Sequence, residues 1–330
     1  MLAEAGAMNA VLRTTVLTAL APIAWGTTFL VTTELLPPDR PLTASLLRAL
    51  PAGLLALLIA QCLPHGHWWW RSLVLGTLNI GAFFPLLFLA AERLPGGAAA
   101  TLGAVQPLLV TLLVVVVLSE RLCRWRLLWG GLGVVGVGMV VLGPAAALDG
   151  LGVVAGLAGA VCMAFGVVLT KRWGRPDGVG PVGYAGWQLA AGGVVLLLPA
   201  ILVEGPPTGL DAGAVLGHLW LGLVGGLVAY GLWFDGLRRL PVTATALLGL
   251  LSPLTAALMG VVVLGQVFTW TQLGGYGLAL AALVAGQLEP RRRGPSLTSP
   301  PAESGRGCLA GGRRSILWEA HRPPGPATLP

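Results

Sequence analysis

Charge is what this 330-residue sequence has least of: 10% of its residues are Asp, Glu, Lys or Arg, against 55% hydrophobic residues, and its mean hydropathy is +0.83. So few charges cannot coat a globular surface, which excludes a soluble domain. The four cysteines, Cys62, Cys123, Cys162 and Cys308, are scattered without a CxxC spacing, so neither a metal centre nor a disulfide framework is expected, and packing is the simpler role. Also missing are a nucleophile and base pair, paired acids inside an apolar run and a phosphate-binding glycine loop. No enzyme chemistry, cofactor or metal is therefore expected. The net charge of +7 comes from arginines spread over loops and tail rather than one stripe, which argues against nucleic acid. His65 and His67 alone make a poor metal site, and Trp68 to Trp70 beside them read as an interfacial belt.

What the chain does have is long apolar runs broken by short polar segments. About twenty residues of helix cross a hydrocarbon core of ~30 Å. Ten such spans can be drawn, at 14–36, 42–63, 72–92, 97–119, 126–144, 150–171, 183–204, 215–236, 242–264 and 271–288. Runs such as Leu108 to Leu118 are apolar on every face, which excludes the alternation of a barrel strand. The 49 glycines suit membrane helices, where small residues let backbones approach closely. Gly130, Gly131, Gly133, Gly136 and Gly138 in the fifth span, with Gly274, Gly275 and Gly277 in the tenth, read as close helix packing or as the face of a homodimer.

The first span is too long for the apolar part of a signal peptide, so it reads as a retained helix, with Met8 an alternative start. Positive residues near membrane ends gather on the cytoplasmic side. With a cytoplasmic N-terminus, Arg13, Arg71, Arg121, Arg124, Arg126, Lys171, Arg172, Arg175, Arg238, Arg239 and Arg291 to Arg293 all fall inside, and only Arg40 and Arg93 outside. This predicts a multi-pass protein of the cytoplasmic (plasma) membrane with both termini cytoplasmic. After residue 288 Pro, Gly, Ser and Arg dominate, which predicts a disordered cytoplasmic tail over 289–330.

The chain repeats itself. Arg93-Leu94-Pro95 recurs as Arg239-Leu240-Pro241, and without a gap Gly76 meets Gly222, Phe84 meets Tyr230, Phe88 meets Phe234, Pro107 meets Pro253 and Glu120 meets Gln266. Earlier in each half, Ala24-Trp25-Gly26 pairs with Ala164-Phe165-Gly166, Pro41 with Pro181, Arg48 with Gln188 and Gly53 with Gly193. An odd number of helices per repeat makes the second copy enter from the opposite face. The expectation is an all-α integral membrane protein of ten transmembrane helices in two inverted-topology five-helix repeats. Its divisions are a cytoplasmic N-terminus at 1–13, repeats at 14–144 and 150–288, and the tail at 289–330.

These motifs, together with Thr101, Leu247 and Gly131, resemble the drug/metabolite transporter superfamily, in particular its EamA-type members with ten helices and two EamA repeats, over residues 14–288. The family often carries Glu at the end of the ninth helix, where this chain has Gln266, so no acidic role carries over there. The resemblance implies a secondary transporter, an exporter of an amino acid, pigment or drug-like metabolite, working by alternating access. It also implies that helices three, four, eight and nine face the cavity, which brings in Phe83, Tyr230 and Trp233 as substrate contacts. An intramembrane enzyme on a lipid-linked substrate, or a non-transporting scaffold, would need no two-sided access. No Asp or Glu sits deep in a span, which leaves proton coupling through Glu34 or Glu92 and facilitated diffusion both open.

Arg48 is the most informative residue, because a charge inside a span is costly unless it meets water, protein or a partner. It reads as a substrate contact, with snorkelling or pairing to Glu34 or Glu92 as structural alternatives. Its counterpart Gln188, with Asn79 and Gln106, must also find a cavity or an interhelical bond. Trp25 and Phe165 hold equivalent places beside a glycine in the two first helices, and both are cavity candidates. Pro107 and Pro253 read as hinges or fixed kinks. Glu120 with Arg121, and Asp235 with Arg238 and Arg239, read as surface pairs at the inner helix ends.

Overall fold

A computed structural model of the chain describes residues 2–94, 102–141, 149–265 and 267–288. Pro95, Thr101, Gln266 and the expected tail at 289–330 lie outside them. Among the described residues every regular element is helical. Ten rods follow in chain order: α1 Leu2–Leu35, α2 Pro41–Ala60, α3 Trp68–Arg93, α4 Gln106–Val117, α5 Arg124–Val141, α6 Gly150–Trp173, α7 Pro181–Glu204, α8 Ala212–Arg239, α9 Val242–Val263 and α10 Trp270–Gln287.

Seven contain stretches long and apolar enough to cross a membrane: α1 from Met8, α2, α3, α6, α7, α8 and α9. The described part of α4 is only 12 residues long, and α5 and α10 dilute their apolar residues with Arg124 and Arg126 or with Gln272 and Gln287. Large apolar side chains face outward along the bundle, including Leu58 at 68% exposure, Leu202 at 73% and Val116 at 79%. That outside is what lipid as solvent requires, and the protein is a multi-pass membrane protein.

Helix α1 begins well ahead of residue 14, because Leu2 to Met8 holds three Ala with one each of Leu, Glu and Met, all strong helix formers, against a single Gly. The expected span at 97–119 is broken. Ala104 and Val105 form a turn, and α4 starts with Pro107 in its first turn. The same happens in α9, where Gly249 and Leu250 interrupt the helix just ahead of Pro253. Bonds of the tighter i to i+3 kind close both breaks, Val105 N to Leu102 O at 3.2 Å and Leu250 N to Leu247 O at 3.1 Å. A proline in a helix's first turn gives up no internal bond, so Pro107 and Pro253 begin helical segments rather than kink them from within.

Two further irregularities sit at matching places. Helix α3 widens into a π-helical stretch at Thr77–Gly81 and α8 into one at Trp220–Val228, around the points that follow the paired Gly76 and Gly222. A π-helical turn shifts the backbone bonding register, and it is common at functional sites.

Glycines set the close packing. Helices α2 and α7 lie against each other through Gly53 at Ala190, Gly186 at Ala56 and Gly193 at Leu50, and a Cβ on Gly186 would come within 3.2 Å of Leu57 N. A Cβ on Gly76 would lie 2.6 Å from Gln188 O, which seats α3 on α7. Helices α5 and α10 meet in the same manner, since a Cβ on Gly136 would lie 2.8 Å from Gly275 O. The largest buried cluster therefore gathers where α2, α3, α7 and α8 converge, around Trp187, Tyr184, Phe84, Phe88, Tyr230 and Phe234.

Candidate functional site

Six of the expected residues, Trp25, Arg48, Phe83, Gln106, Tyr230 and Pro253, line one cavity of about 90 Å³ among α1, α2, α3, α4, α6, α8 and α9. That is several times the roughly 10–15 Å³ one water needs. Its walls are mostly apolar and aromatic. Thr28, Phe29, Met163 and Ser252, which sequence reasoning did not single out, complete much of the lining.

Arg48 lies on α2 and is 1% exposed. Its Nη1 donates to Thr28 Oγ1 and its Nη2 to the Gly225 carbonyl, both at 3.3 Å, and the guanidinium stands 4.4 Å from the Phe84 ring centroid. Neither structural alternative holds: the side chain does not reach the surface, and among the described residues it makes no ion pair with Glu34, Glu92 or any other carboxylate. Its Nε has no partner among the described residues.

The Gly225 carbonyl also accepts from Trp25 Nε1 at 2.9 Å. This acceptor lies within the π-helical stretch of α8. The corresponding carbonyl of α3, at Asn79 in its own π-helical stretch, accepts from the Tyr230 hydroxyl at 3.2 Å. Both stretches thus accept tertiary hydrogen bonds at the centre of the protein. The repeat pairs Phe84 with Tyr230, and the structure sets those two rings 6.0 Å apart. Trp25 packs on Tyr230 at 5.0 Å and on Trp233 at 5.1 Å, so Trp233 backs the aromatic wall without lining the cavity.

Asn79 and Gln188 find each other rather than the cavity. Asn79 Nδ2 donates to Gln188 Oε1 at 2.7 Å and to Thr170 Oγ1 at 3.4 Å, with Asn79 and Gln188 fully buried. The Asn79 amide rests against Gly166, where a Cβ would not fit. This also explains the misplaced candidate. Consecutive helix positions point about 100° apart, so with Gly166 turned inward Phe165 faces outward at 40% exposure, and Met163 takes the place in the lining. Trp68 is corrected as well. It is 5% exposed and packs on Tyr184 and Trp187, while Trp69 and Trp70 remain outside.

The two ends of the site differ. At one, Lys171 Nζ donates to Leu237 O at 2.8 Å, Leu240 O at 2.8 Å and Arg238 O at 3.3 Å, tying α6 to the C-terminal end of α8, where a cation suits the helix dipole. Arg172 Nη1 reaches Val117 O at 3.0 Å, and Asp235 bridges Arg239 at 2.8 Å and Arg175 at 3.4 Å, the last in place of the expected Arg238. Burial lowers the Arg175 guanidinium from its usual range, against the pull of Asp235.

At the other end an open recess of about 640 Å³ is lined by Asp39, Arg40, Glu92, Arg93 and Glu204, beyond Phe83 and Leu87 along α3. There Glu204 caps α2 by accepting from Leu42 N at 2.7 Å and Thr43 N at 2.8 Å. Among the described residues no group of three His, Cys, Asp or Glu is placed to hold a metal ion.

Comparison with known proteins agrees with this architecture. The chain is 43% identical to the protein PecM of Dickeya dadantii over 264 residues, covering 80% of this chain and 89% of that one. It is 28% identical to a WAT1-related chloroplastic protein of Arabidopsis thaliana over 78% of this chain and 66% of the other, and 27% identical to the uncharacterized inner membrane transporter YedA of Escherichia coli over 80% and 88%. A solved crystal structure superposes with a TM-score of 0.69 over 84% of this chain and 98% of the other at 20% identity, a likeness of fold. The EamA-like transporter family matches residues 12–142 and again 150–285, so the chain belongs to that family, a transporter of the drug/metabolite superfamily built from two EamA repeats.

Proposed function

We propose that the protein exports a small metabolite by alternating access, with two inverted five-helix halves, 14–144 and 150–288, rocking about the central cavity. The observation that carries this is the cavity itself. Residues of both halves line it, and it lies between an end tied shut by Lys171 and an end with an open recess. A site that must be reached from either side in turn needs this asymmetry in each single state.

The distribution of positive residues supports a cytoplasmic Lys171 end and cytoplasmic termini, and the inner-membrane name of one relative fits the cytoplasmic membrane. In this arrangement the cytoplasmic side is shut and the recess is external. Trp25, Phe83, Tyr230, Arg48 and Gln106 contact the substrate. Asn79, Gln188 and Trp233 hold those contacts from behind. Cytoplasmic opening breaks the three Lys171 bonds, and the interruptions before Pro107 and Pro253 absorb the change in helix direction.

The test is flux in proteoliposomes over a panel of amino acids, pigments and drug-like compounds, under proton gradients and without them. Wild type is expected to move at least one class, and Arg48→Ala to lose that flux while keeping its thermal unfolding cooperative. No flux of any compound under any gradient would reject the transport reading.

A further inference from the structure

We propose that the substrate is an organic anion, a carboxylate on a flat apolar or aromatic body, with Arg48 as its counter-ion; this rests on the transport reading above. Arg48 is a buried guanidinium whose acceptors, Thr28 Oγ1 and the Gly225 carbonyl, are both neutral and both at 3.3 Å. Charge-assisted bonds run nearer 2.7–2.9 Å. Among the described residues its Nε has no partner and it pairs with no carboxylate. On the same cavity Gln106 Nε2 is also buried without a partner among the described residues.

Arg48 thus has unfilled donor capacity on a fixed positive charge, and the Gln106 amide beside the same cavity can serve as donor or acceptor. An acceptor-only anion matches the guanidinium, whereas an ammonium or another donor-rich group does not. The remaining walls set the body. Trp25 spends its indole N–H on Gly225 and offers a ring, and Phe83 and Tyr230 offer others. At about 90 Å³ the space is smaller than the roughly 150 Å³ cavity that admits benzene, so this state holds a carboxyl head and its first carbons, and the body needs the opened state.

The charge count has a consequence for the cycle. Empty, the site carries one unpaired buried cation through the membrane; loaded with a monocarboxylate it is neutral. Reorientation of the loaded protein is therefore the faster half of the cycle.

Full-length protein in nanodiscs, titrated by calorimetry with benzoate, indole-3-acetate and 2-naphthoate, each beside its primary amide, tests the proposal. At least one carboxylate is expected to bind about tenfold or more tightly than its amide, the worth of one charge-assisted bond. Arg48→Gln should erase that preference, and Arg48→Lys should keep part of it. Circular dichroism and gel filtration of each variant separate lost binding from lost folding. Equal binding of acids and amides, binding of amides or of tryptamine alone, no binding of any carboxylate, or an undiminished preference in a folded Arg48→Gln variant would each overturn the anion proposal. Flux of neutral or cationic compounds in the proteoliposome panel would leave the transport reading standing without it.

Discussion

Replacing Gly166 by alanine adds one methyl group where the Asn79 amide now rests. The Cβ would overlap the amide oxygen and carbon, so the amide must swing away or α6 must back off from α3. If the amide swings, its 2.7 Å bond to Gln188 is lost, and both side chains are fully buried. Interhelical hydrogen bonds in membranes contribute ~0.6–2 kcal/mol, and overpacking a tight core costs ~1–3 kcal/mol. The expected destabilisation is therefore about 2–5 kcal/mol, measured by equilibrium unfolding in mixed micelles.

The diagnostic is a double-mutant cycle. Asn79→Ala frees the space, so in that background Gly166→Ala should cost little, and the two changes together should fall short of their sum by more than about 1 kcal/mol. Gly277→Ala on α10 serves as control. A Cβ there meets nothing within 4 Å, and alanine is the better helix former, so no loss is expected. A Gly166→Ala protein as stable as wild type, or strict additivity with Asn79→Ala, would refute this account of how the two halves interlock.

Lys171→Met removes three bonds to the end of α8 while keeping most of the side-chain volume. A shift of ~1.5–3 kcal/mol toward the state open on that side is expected. It should appear as labelling about tenfold or more faster of a cysteine placed at Thr170, which lines the crevice beside it; unchanged labelling would mean that the contact does not hold the end shut. Pro253→Ala restores a backbone donor just after the interruption at Gly249 and Leu250, favouring a continuous α9. The new N–H can bond the Gly249 carbonyl only if the interruption closes, ~1 kcal/mol in favour of the continuous helix, which should slow turnover several-fold; wild-type rates would remove the hinge.

Much of the architecture could be read along the chain because hydropathy and charge are local properties. Apolar runs between polar breaks locate α2, α6 and α7 within a few residues, and the repeat alone matches Phe84 to Tyr230 and Pro107 to Pro253. The breaks in α4 and α9 were less legible, since a proline reports a missing donor without saying whether it bends a helix or begins one. Symmetry misled at Phe165: equivalent positions in two diverged halves share a backbone place while their neighbours, here Gly166 against Asn79, decide which side turns inward.

The sequence by itself determined that this protein lives in lipid, that it is built twice over, and that Arg48 is an expensive charge in need of a reason. Only the tertiary structure decided which polar groups meet. It closed Asn79 on Gln188, set Arg48 and Gln106 in the wall of one cavity, and turned Trp25 onto Tyr230 and Trp233. The physical reason is that a membrane helix is apolar on nearly every face, so its pattern carries little information about rotation. That rotation is set by the close contacts of small residues, Gly53 on Ala190 and Gly76 on Gln188, which bring residues far apart in the chain to one place.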